Sequence, residues 1–358
     1  MAKIDAFFKL MNDQGASDLH MVAGQQPILR INGEMERVKY DILEDGDLKR
    51  LLYEIAPEHK IKIFEETGDV DFAHEIPDVS RYRANFFRQK SGIAAVFRRI
   101  PNQIPTFEEL SLPPLTKKMA MINRGLVLVT GPTGSGKSTT LAAMIDYANR
   151  NRKGHIITVE DPIEFVHKSH GCVVNHREVG THTSSFRAAL RGALREDPDI
   201  ILVGELRDLE TIALAIEAAD TGHLVFGTLH TPSASSTVDR IIDVFPANQQ
   251  GQIRATLSEA LKAVIAQNMF RRADGKGQVV AFEVLVNTPA VANLIREKKT
   301  FQIPSLIQTG KKFGMIPLDD AIYDHMKAGR ITPLAAYDRA AEKQRFFQFL
   351  KEPPDIFG

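Results

Sequence analysis

The sequence predicts two domains: a small α+β domain, then a larger α/β domain built on a parallel sheet with flanking helices. The chain has 358 residues, more than one hydrophobic core usually serves. Its first part carries short alternating segments with hairpin punctuation, whereas apolar strands alternate with helical stretches beyond residue 114. We therefore expect an N-terminal domain over 1–100, a linker over 101–114 and a C-terminal domain over 115–358.

Short strand patterns follow one another in the N-terminal domain. They are PILRI, MERV, DVDFAHEI, RYRANFFRQ and IAAVFRR, and the dipeptide Asn32-Gly33 after the first is typical of a hairpin turn. Two helical patterns interrupt the strands, from Asp47 to Ala56 and from Glu58 to Thr67. This domain is therefore expected to contain antiparallel strands and helices.

The segment 101–114, PNQIPTFEELSLPP, is expected to be an extended connector. It holds four of the chain's 18 prolines. Proline fixes its own backbone and cannot donate a backbone hydrogen bond, so such spacing favours a linker over a domain core.

Beyond the linker the pattern alternates between strands and helices. The strand segments are GLVLVTG, HIITVED, DIILVGE and LVFGTLH, and helical stretches begin at Lys137, Ser184 and Leu209. This alternation predicts parallel strands joined by helical crossovers. The strands are apolar without a period of two, as expected when helices cover both faces of the sheet. Past Gln249 the chain is expected to be mainly helical.

The composition restricts the class of protein. The 45 basic and 45 acidic side chains leave no net charge, so nucleic-acid binding would need a local basic patch and is not expected. The single cysteine, Cys172, excludes an internal disulfide framework or four-cysteine zinc site and fits a reducing cytoplasm. No export signal or membrane-spanning apolar run is found. Any membrane association is therefore expected through a partner only.

GPTGSGKS at 131–138 matches the phosphate-binding pattern G-x-x-x-x-G-K-[ST]. Lys137 is expected to reach the β- and γ-phosphates of ATP, and Ser138 to hold Mg²⁺. A plain glycine turn is the alternative, but the preceding strand and following helix favour a nucleotide site because the helix dipole attracts phosphate. The predicted cofactor-binding residues are Gly131, Pro132, Thr133, Gly134, Ser135, Gly136, Lys137, Ser138 and Thr139.

Carboxylates follow two of the predicted strands. DPDIILVGELRD ends in Gly204 and Glu205, and Glu205 is the first candidate for the catalytic base, although Gly204 replaces the usual aspartate. TVEDPIEF supplies Glu160, Asp161 and Glu164, and Glu160 is a candidate to reach Mg²⁺ through a water molecule. Ligands bind beyond the carboxyl ends of parallel strands, so these groups are expected to face one γ-phosphate. The spacing leaves open whether Glu205 or Glu164 activates water.

Two histidines bracket the strand LVFGTLH. His230 ends it, at the sheet edge expected to bind phosphate, and is a candidate γ-phosphate sensor. His223 is a second candidate for nucleotide contact, and its alternative role is to cap a helix. Neither histidine has a cysteine or carboxylate at a spacing typical of zinc sites.

Arg81 and Arg83 lie two residues apart in the strand RYRANFF, which places both on one face of the sheet. They are candidate arginine fingers, supplied by a neighbouring domain or subunit to stabilise charge during phosphoryl transfer. The alternative is solvated charge on an edge strand. Arg195 and Arg207, near the carboxylates, are alternative fingers.

Together these motifs resemble the secretion ATPases that drive type II secretion and type IV pili. The resemblance covers nearly the whole chain, through GPTGSGKSTT, TVEDPIEF, ILVGELRD and TGHLVFGTLHT, with ASDLH and RYRANFF in the first domain. It is greatest to members that retract pili in twitching motility, on REVGTHTSSF at 177–186 and AVANLIRE at 290–297. Two departures are His176, where glutamine is usual, and Val291-Ala292, where Ile-Arg is usual.

The resemblance implies a RecA-like P-loop ATPase domain preceded by a PAS-like domain, with ATP and Mg²⁺ bound between the domains of a homohexameric ring. It also implies a motor on the cytoplasmic face of the inner membrane, acting on the pilus platform protein of that membrane. A pilus extension or type II secretion ATPase is the nearest alternative, although such members usually carry further N-terminal domains and often a four-cysteine zinc module. A nucleic-acid translocating motor and a nucleotide switch without turnover are more distant ones.

Overall fold

The computed structural model describes residues 2–31, 33–77, 79–100 and 103–350. It divides into two compact units. The first comprises Met1–Ile104 and Pro162–Val166, and the second comprises Pro105–Asp161 and His167–Gly358.

The first unit is an antiparallel sheet with helices. Its strands are β1 (Asp18–Val22), β2 (Ile28–Ile31), β3 (Glu34–Arg37), β4 (Asp69–Ile76), β5 (Ser80–Gln89) and β6 (Gly92–Ile100), and its helices are α1 (Asp5–Asp13), α2 (Asp45–Tyr53) and α3 (Glu58–Thr67). The strand order is β3-β2-β1-β6-β5-β4. The predicted α+β composition is therefore confirmed, and α3 has the predicted bounds. Asn32 lies outside the described residues, but Ile31 and Glu34 on either side of the hairpin loop are paired.

Strand β5 alternates between the core and the opposite face of this sheet. Tyr82, Ala84 and Phe86 are buried in the core of the unit, whereas Arg81 and Arg83 are more exposed and share the other face, as predicted. The alternative interpretation, solvated charge on an edge strand, does not fit, because β5 lies between β4 and β6.

The second unit contains a larger sheet and most of the helices. Its strands are β7 (Gly125–Thr130), β8 (Gly154–Glu160), β9 (Cys172–Glu178), β10 (Ile200–Val203), β11 (Leu224–Leu229), β12 (Leu261–Arg271) and β13 (Gln278–Val286). Its helices are α4 (Leu115–Ala120), α5 (Lys137–Asn151), α6 (Phe186–Ala193), α7 (Leu209–Thr221), α8 (Ala234–Asp243), α9 (Gln250–Ala260), α10 (Pro289–Arg296), α11 (Ile303–Thr309), α12 (Leu318–Lys327), α13 (Pro333–Arg339) and α14 (Lys343–Phe347), with 3₁₀ turns at Thr300–Gln302 and Lys311–Phe313.

The strand order of this sheet is β13-β12-β7-β11-β10-β8-β9. All neighbouring strands are parallel except β13, which is antiparallel to β12. Helices α6 to α9 pack in one apolar cluster with the sheet, while α4 and α5 pack in another. The prediction of a parallel sheet flanked by helices is confirmed.

Part of the predicted linker belongs to the core of the second unit. Phe107 and Leu112 are buried there, so residues 105–114 pack as the start of this unit. Pro101 and Asn102 lie outside the described residues. The prolines suggested a connector, but two well-placed apolar side chains outweigh that tendency because their burial is favourable.

The chain beyond Gln249 is less helical than expected, since it contains the long strands β12 and β13. Strand β12 begins directly after α9 and lies between β7 and β13, where its two faces are both covered. A strand buried on both faces lacks a period of two, so its apolar run cannot be distinguished from a buried helix by periodicity alone.

In the part of the chain that the structure describes, no helix is long and apolar enough to cross a membrane.

Candidate active site

The phosphate loop joins β7 to α5, the strand and helix that the sequence predicts around it. Gly136 is the residue before the first turn of α5 and has φ 86°, in the left-handed region that favours glycine. A Cβ atom on Gly131 would lie 2.3 Å from the carbonyl oxygen of Gln267. The loop therefore requires glycine at both positions, one for backbone conformation and one for close approach of β12.

Lys137 begins α5 and is buried. Its Nζ donates hydrogen bonds to the carbonyl oxygens of Gly131, at 3.0 Å, and Pro132, at 3.1 Å. These contacts hold the ammonium group within the loop. Ser138 and Thr139 follow in the first turn of α5 and are partly buried, at the helix end whose dipole attracts anions.

Gln267 of β12 joins the loop to α5. Its Nε2 donates to the carbonyl oxygen of Ser135 at 2.5 Å, and its Oε1 accepts from Thr140 Oγ1 at 3.0 Å. Sequence reasoning missed Gln267 because β12 was expected to be helical. The available signal was a glutamine inside the apolar run AVIAQNMF, where a buried polar group needs a partner.

The residues of the loop fit a bound phosphate. Ser135 is almost fully buried, and its Oγ has no hydrogen-bond partner among the described residues. A buried hydroxyl without a partner, a buried ammonium and a helix N-terminus together favour an anion here. No group of three or more His, Cys, Asp or Glu in the described ranges could hold a metal ion.

Glu205 and His230 meet beside the phosphate loop. Glu205 follows β10, and its Oε1 lies 2.6 Å from Arg207 Nε and 3.3 Å from His230 Nε2. The other ring nitrogen of His230 lies 3.4 Å from Thr133 Oγ1, in the loop itself. The expectation that these residues share one edge of the sheet is thus met, and His230 connects the carboxylate to the loop.

The charges around Glu205 lower its pKa. Partial burial raises the pKa of this carboxyl, but the hydrogen bond from Arg207 and the charges of Arg207 and His230 outweigh burial, so the net pKa lies below its usual value. In turn, the hydrogen bond to Glu205 raises the pKa of Arg207, and the charge of Asp161 acts in the same direction. Glu205 is therefore ionised at neutral pH, as a general base must be.

Gly204 leaves room for Glu160. A Cβ atom on Gly204 would lie 3.3 Å from both Glu160 Cα and the carbonyl oxygen of Val159. An aspartate in place of Gly204 would crowd the buried end of β8, whose backbone would have to shift by a few tenths of an ångström to admit it. Glu160 is itself buried beside Glu178, its register partner on β9.

Glu178 is a further carboxylate at this edge that sequence reasoning did not single out. It accepts a hydrogen bond from Thr181 Oγ1 at 3.1 Å, and its backbone N–H donates to His182 Nδ1 at 3.0 Å. The available signal was its place at the end of a strand, in REVGTHTSSF, but β9 was not predicted as a strand.

Two of the predicted site residues lie at the amino ends of the strands, away from the phosphate loop. His223 precedes β11, and both its backbone N–H and its Nδ1 lie 3.0 Å from the carbonyl oxygen of Ala218, so it caps α7. This fits its alternative role as a helix cap. The length of β11, about 20 Å at 3.3 Å per residue, separates His223 from the carboxyl ends of the strands, where the phosphate loop lies. Arg195 precedes β10, also at the amino ends of the strands, and is not brought near Glu205.

The remaining candidates lie in the first unit. Glu164 belongs to Pro162–Val166, the short segment of that unit. On β5, Arg81 Nη1 lies 3.5 Å from Glu75 Oε2, and Arg83 Nε lies 3.5 Å from Asp71 Oδ1.

Comparison with known proteins gives a consistent result. A family model described as "Type II/IV secretion system protein" matches residues 3–311. The chain is 52% identical over 333 residues to the type IV pilus retractation ATPase PilT of Pseudomonas aeruginosa, covering 93% of this chain and 96% of that protein. It is 50% identical over 318 residues to a twitching motility protein of Neisseria gonorrhoeae, covering 89% and 85%. The crystal structure of the pilus retraction motor PilT with bound ADP matches with a TM-score of 0.89 and 45% identity, covering 96% of this chain and 98% of that one.

Proposed function

The chain belongs to the type II/IV secretion system protein family, and we propose that it is the ATP-driven motor that retracts type IV pili. It is a P-loop ATP hydrolase. The observation that carries the proposal is the contact of Glu205, His230 and Thr133 at the phosphate loop, in a chain 52% identical over most of its length to a retraction ATPase. This arrangement unites a base, a residue able to sense phosphate and the loop that binds it.

The loop binds the nucleotide. Backbone N–H groups of the loop, from residues other than Pro132, and the ammonium group of Lys137 hold the β- and γ-phosphates. Ser138 would be the protein ligand of Mg²⁺, and Glu160 would act on that ion through a bound water molecule. Mg²⁺ usually takes one or two protein ligands plus substrate phosphates, and when bound it neutralises charge on the β- and γ-oxygens.

Glu205 accepts the proton of the attacking water, and Glu164 is the second candidate for this role. The exposed side chain of Arg207 holds the Glu205 carboxylate in an ion pair. Arg207 therefore has to release the Glu205 carboxylate before Glu205 can act as a base, because an ion-paired carboxylate binds protons weakly. His230 lies between Glu205 and the loop, so it is suited to detect the γ-phosphate.

The motor works as a homohexameric ring. Arg81 and Arg83 supply charge to a nucleotide bound by a neighbouring domain or subunit, which stabilises the transition state. The ring lies at the cytoplasmic face of the inner membrane and acts on the platform protein of the pilus.

Replacing Lys137 with alanine tests the hydrolytic part of this proposal. The variant removes the buried cation that neutralises phosphate charge, so turnover of ATP should fall by about 100-fold or more and ATP binding should weaken. Steady-state hydrolysis and nucleotide titration measure the two effects. Lys153→Ala is a matched control, because Lys153 is exposed and precedes β8 at the opposite edge of the sheet. Near-normal turnover in Lys137→Ala would contradict the proposal.

A further inference from the structure

Helix α8 begins immediately after the segment that carries His230. Ser233 caps it: the Ser233 side chain accepts from the backbone N–H of Ser236, and the Ser236 side chain accepts from the backbone N–H of Ser233. This capping box uses two of the N–H groups at the helix start. The N–H of Ala234, in the first turn, must find its partner elsewhere.

That partner comes from β13. Oε1 of Glu283 accepts a hydrogen bond from the backbone N–H of Ala234 at 2.6 Å, and Ala234 is fully buried. Glu283 is partly buried. Burial raises the pKa of Glu283 on balance, although the hydrogen bond from Ala234 acts in the opposite direction. Across the sheet, Glu283 pairs in register with Ala266, next to Gln267 of the phosphate site.

A chain of hydroxyl groups, of which those of Thr130 and Thr237 are buried, ties the same segment to the phosphate loop. Thr237 Oγ1 of α8 lies 2.6 Å from Thr231 Oγ1, the residue after His230, and 2.7 Å from the carbonyl oxygen of Ser233. It also lies 3.4 Å from Thr130 Oγ1, immediately before the loop. The residue after His230 is therefore fixed by α8, and α8 is fixed at its first turn by Glu283.

We propose that Glu283 is a positioning residue for His230: its carboxylate fixes the start of α8, and α8 fixes the chain that holds His230 against the phosphate loop. The proposal rests on the proposed role of His230 as the γ-phosphate sensor. Strand β13 leads within a few residues into α10, the helix of AVANLIRE. Strand β13 therefore carries the residue that supports the sensor and is closely followed by α10.

Two substitutions of Glu283 separate positioning from folding. Glu283→Leu leaves the Ala234 N–H unpaired, so kcat for ATP should fall by about 10-fold, since small displacements of a catalytic group are costly. ADP lacks the γ-phosphate that His230 contacts, so its affinity should stay unchanged. Glu283→Gln keeps a carbonyl oxygen that accepts from Ala234 and should restore kcat. An equal loss of kcat in both variants, or a loss of ADP affinity, would overturn the proposal.

The control breaks a hydrogen bond farther along α8, away from its first turn. Thr300 Oγ1 donates to Asp239 Oδ1 at 2.6 Å, well beyond the first turn. Thr300→Val removes this contact but should leave kcat unchanged, because it does not touch the segment next to His230. A loss of kcat in Thr300→Val equal to that in Glu283→Leu would mean that any weakening of α8 suffices, and the specific role of Glu283 would be refuted.

Combining the substitutions distinguishes this proposal from the proposed function. If Glu283 acts through His230, Glu283→Leu should not reduce kcat further in a His230→Ala background, because coupled residues show non-additive effects. Additive losses would overturn the positioning role while leaving His230 as a sensor. Normal kcat in His230→Ala alone would instead contradict the sensor role itself, and the positioning role with it.

Discussion

Gly204 packs between two of the carboxylate-bearing segments of this site. The common pattern places an aspartate before the catalytic glutamate, but here Gly204 packs against the backbone of Glu160. A carboxylate from the neighbouring strand β8 lies beside that position, since Glu160 is the last residue of β8. Glu205 keeps its own place at the end of β10, where Arg207 and His230 both contact it.

Exchange of Glu205 for glutamine should separate binding from hydrolysis. The amide preserves the shape of the side chain but cannot accept a proton from water. Glu205→Gln should therefore still bind ATP but hydrolyse it more slowly, by about 100-fold or more. Nucleotide titration and single-turnover hydrolysis measure the two properties. Glu164→Gln is the matched comparison, because the two carboxylates are the rival bases. A severe loss of hydrolysis in Glu164→Gln with little loss in Glu205→Gln would reverse the assignment.

The site could be predicted from sequence where chemistry and local spacing coincide. The loop at 131–138, Glu205 and His230 follow predicted strands, and the structure brings them together. Gln267 and Glu178 could not be found in that way, because each reaches the site through strand pairing between distant segments. The spacing of residues along the sequence does not reveal how these distant strands pair.

At the level of secondary structure, the sequence predicted the hairpin strands, α3 and the apolar strands β7, β8, β10 and β11, but it missed β9, β12 and β13. Helix α3 and the hairpin strands have one covered face, and their periodicity shows it. Strands β12 and β13 were missed because the apolar run of β12 fits either a buried strand or a buried helix. Their presence matters for function, since β12 supplies Gln267 to the loop and β13 supplies Glu283 to α8.

A histidine pair joins β8, β9 and the segment before β9. His176 Nδ1 lies 2.8 Å from Thr158 Oγ1 on β8, and its Nε2 accepts from the backbone N–H of His167 at 3.0 Å. The rings of His167 and His176 stack with centroids 5.8 Å apart. Burial of His167, and then the charge of His176, lower the pKa of His167 to about 4. His167 is therefore neutral in the folded protein at neutral pH.

This low pKa predicts a loss of stability in mild acid. The unfolded chain binds a proton at His167 below its ordinary pKa of about 6.5, whereas the folded chain binds one only near 4. The stability present above pH 6.5 is thus lost as the pH falls towards 4, by about 2 kcal/mol between pH 7 and pH 5. Between pH 7 and pH 5, the free energy of unfolding of His167→Gln should therefore fall by about 2 kcal/mol less than that of the wild type.

Urea unfolding at pH 7 and pH 5 measures this difference within each protein. His176→Gln is a suitable control, since it keeps His167 buried and should retain most of the acid loss. If the wild type and His167→Gln lost the same free energy of unfolding, burial of neutral His167 would not explain the acid sensitivity.

Helix α10 has a different buried face from the one expected. In AVANLIRE the apolar residues Val291, Leu294 and Ile295 fall at i, i+3 and i+4, a spacing that predicts one buried helical face, but the buried residues are Val291, Ala292 and Ile295. Leu294 is only partly buried and, with residues of α11, lines a cavity of about 420 Å³. Ala292 thus packs inward, and the face containing Asn293 and Leu294 is left beside this cavity.

At the scale of the assembly, the two arginines of β5 should act across a boundary between subunits. If Arg81 and Arg83 reach a nucleotide held by a neighbouring subunit, Arg81→Ala or Arg83→Ala should reduce turnover by about 100-fold or more. Mixing either with Lys137→Ala subunits should restore part of the activity, because some interfaces then combine an intact arginine with an intact loop. Hydrolysis by mixed rings, with light scattering to verify assembly, measures the rescue.

The control for this experiment lies on the same strand. Arg88 is exposed and points to the face opposite Arg81 and Arg83, so Arg88→Ala should leave turnover near that of the wild type. Intact rings without any rescue would place the arginines within one chain, or limit them to the ion pairs with Glu75 and Asp71.

The direction of pilus movement is the property of the whole motor, and AVANLIRE is where it should be separable from hydrolysis. Arg296 Nη1 contacts Ser258 Oγ of α9 at 3.0 Å, while the exposed Glu297 pairs with Lys299. Replacing both Arg296 and Glu297 with alanine removes one partly buried hydrogen bond, worth about 1 kcal/mol. Hydrolysis and hexamer formation should therefore persist, yet cells carrying this variant should be piliated and unable to twitch.

Ser258→Ala provides the matched control for that prediction, because it breaks the same hydrogen bond from the side of α9 and leaves the charges of AVANLIRE in place. Cells with Ser258→Ala should continue to twitch. Loss of twitching in both variants would attribute the effect to packing between α9 and α10. If the double variant instead lost its surface pili, the chain would be an extension motor and retraction would be the wrong direction, since a cell that cannot retract accumulates pili whereas one that cannot extend has none.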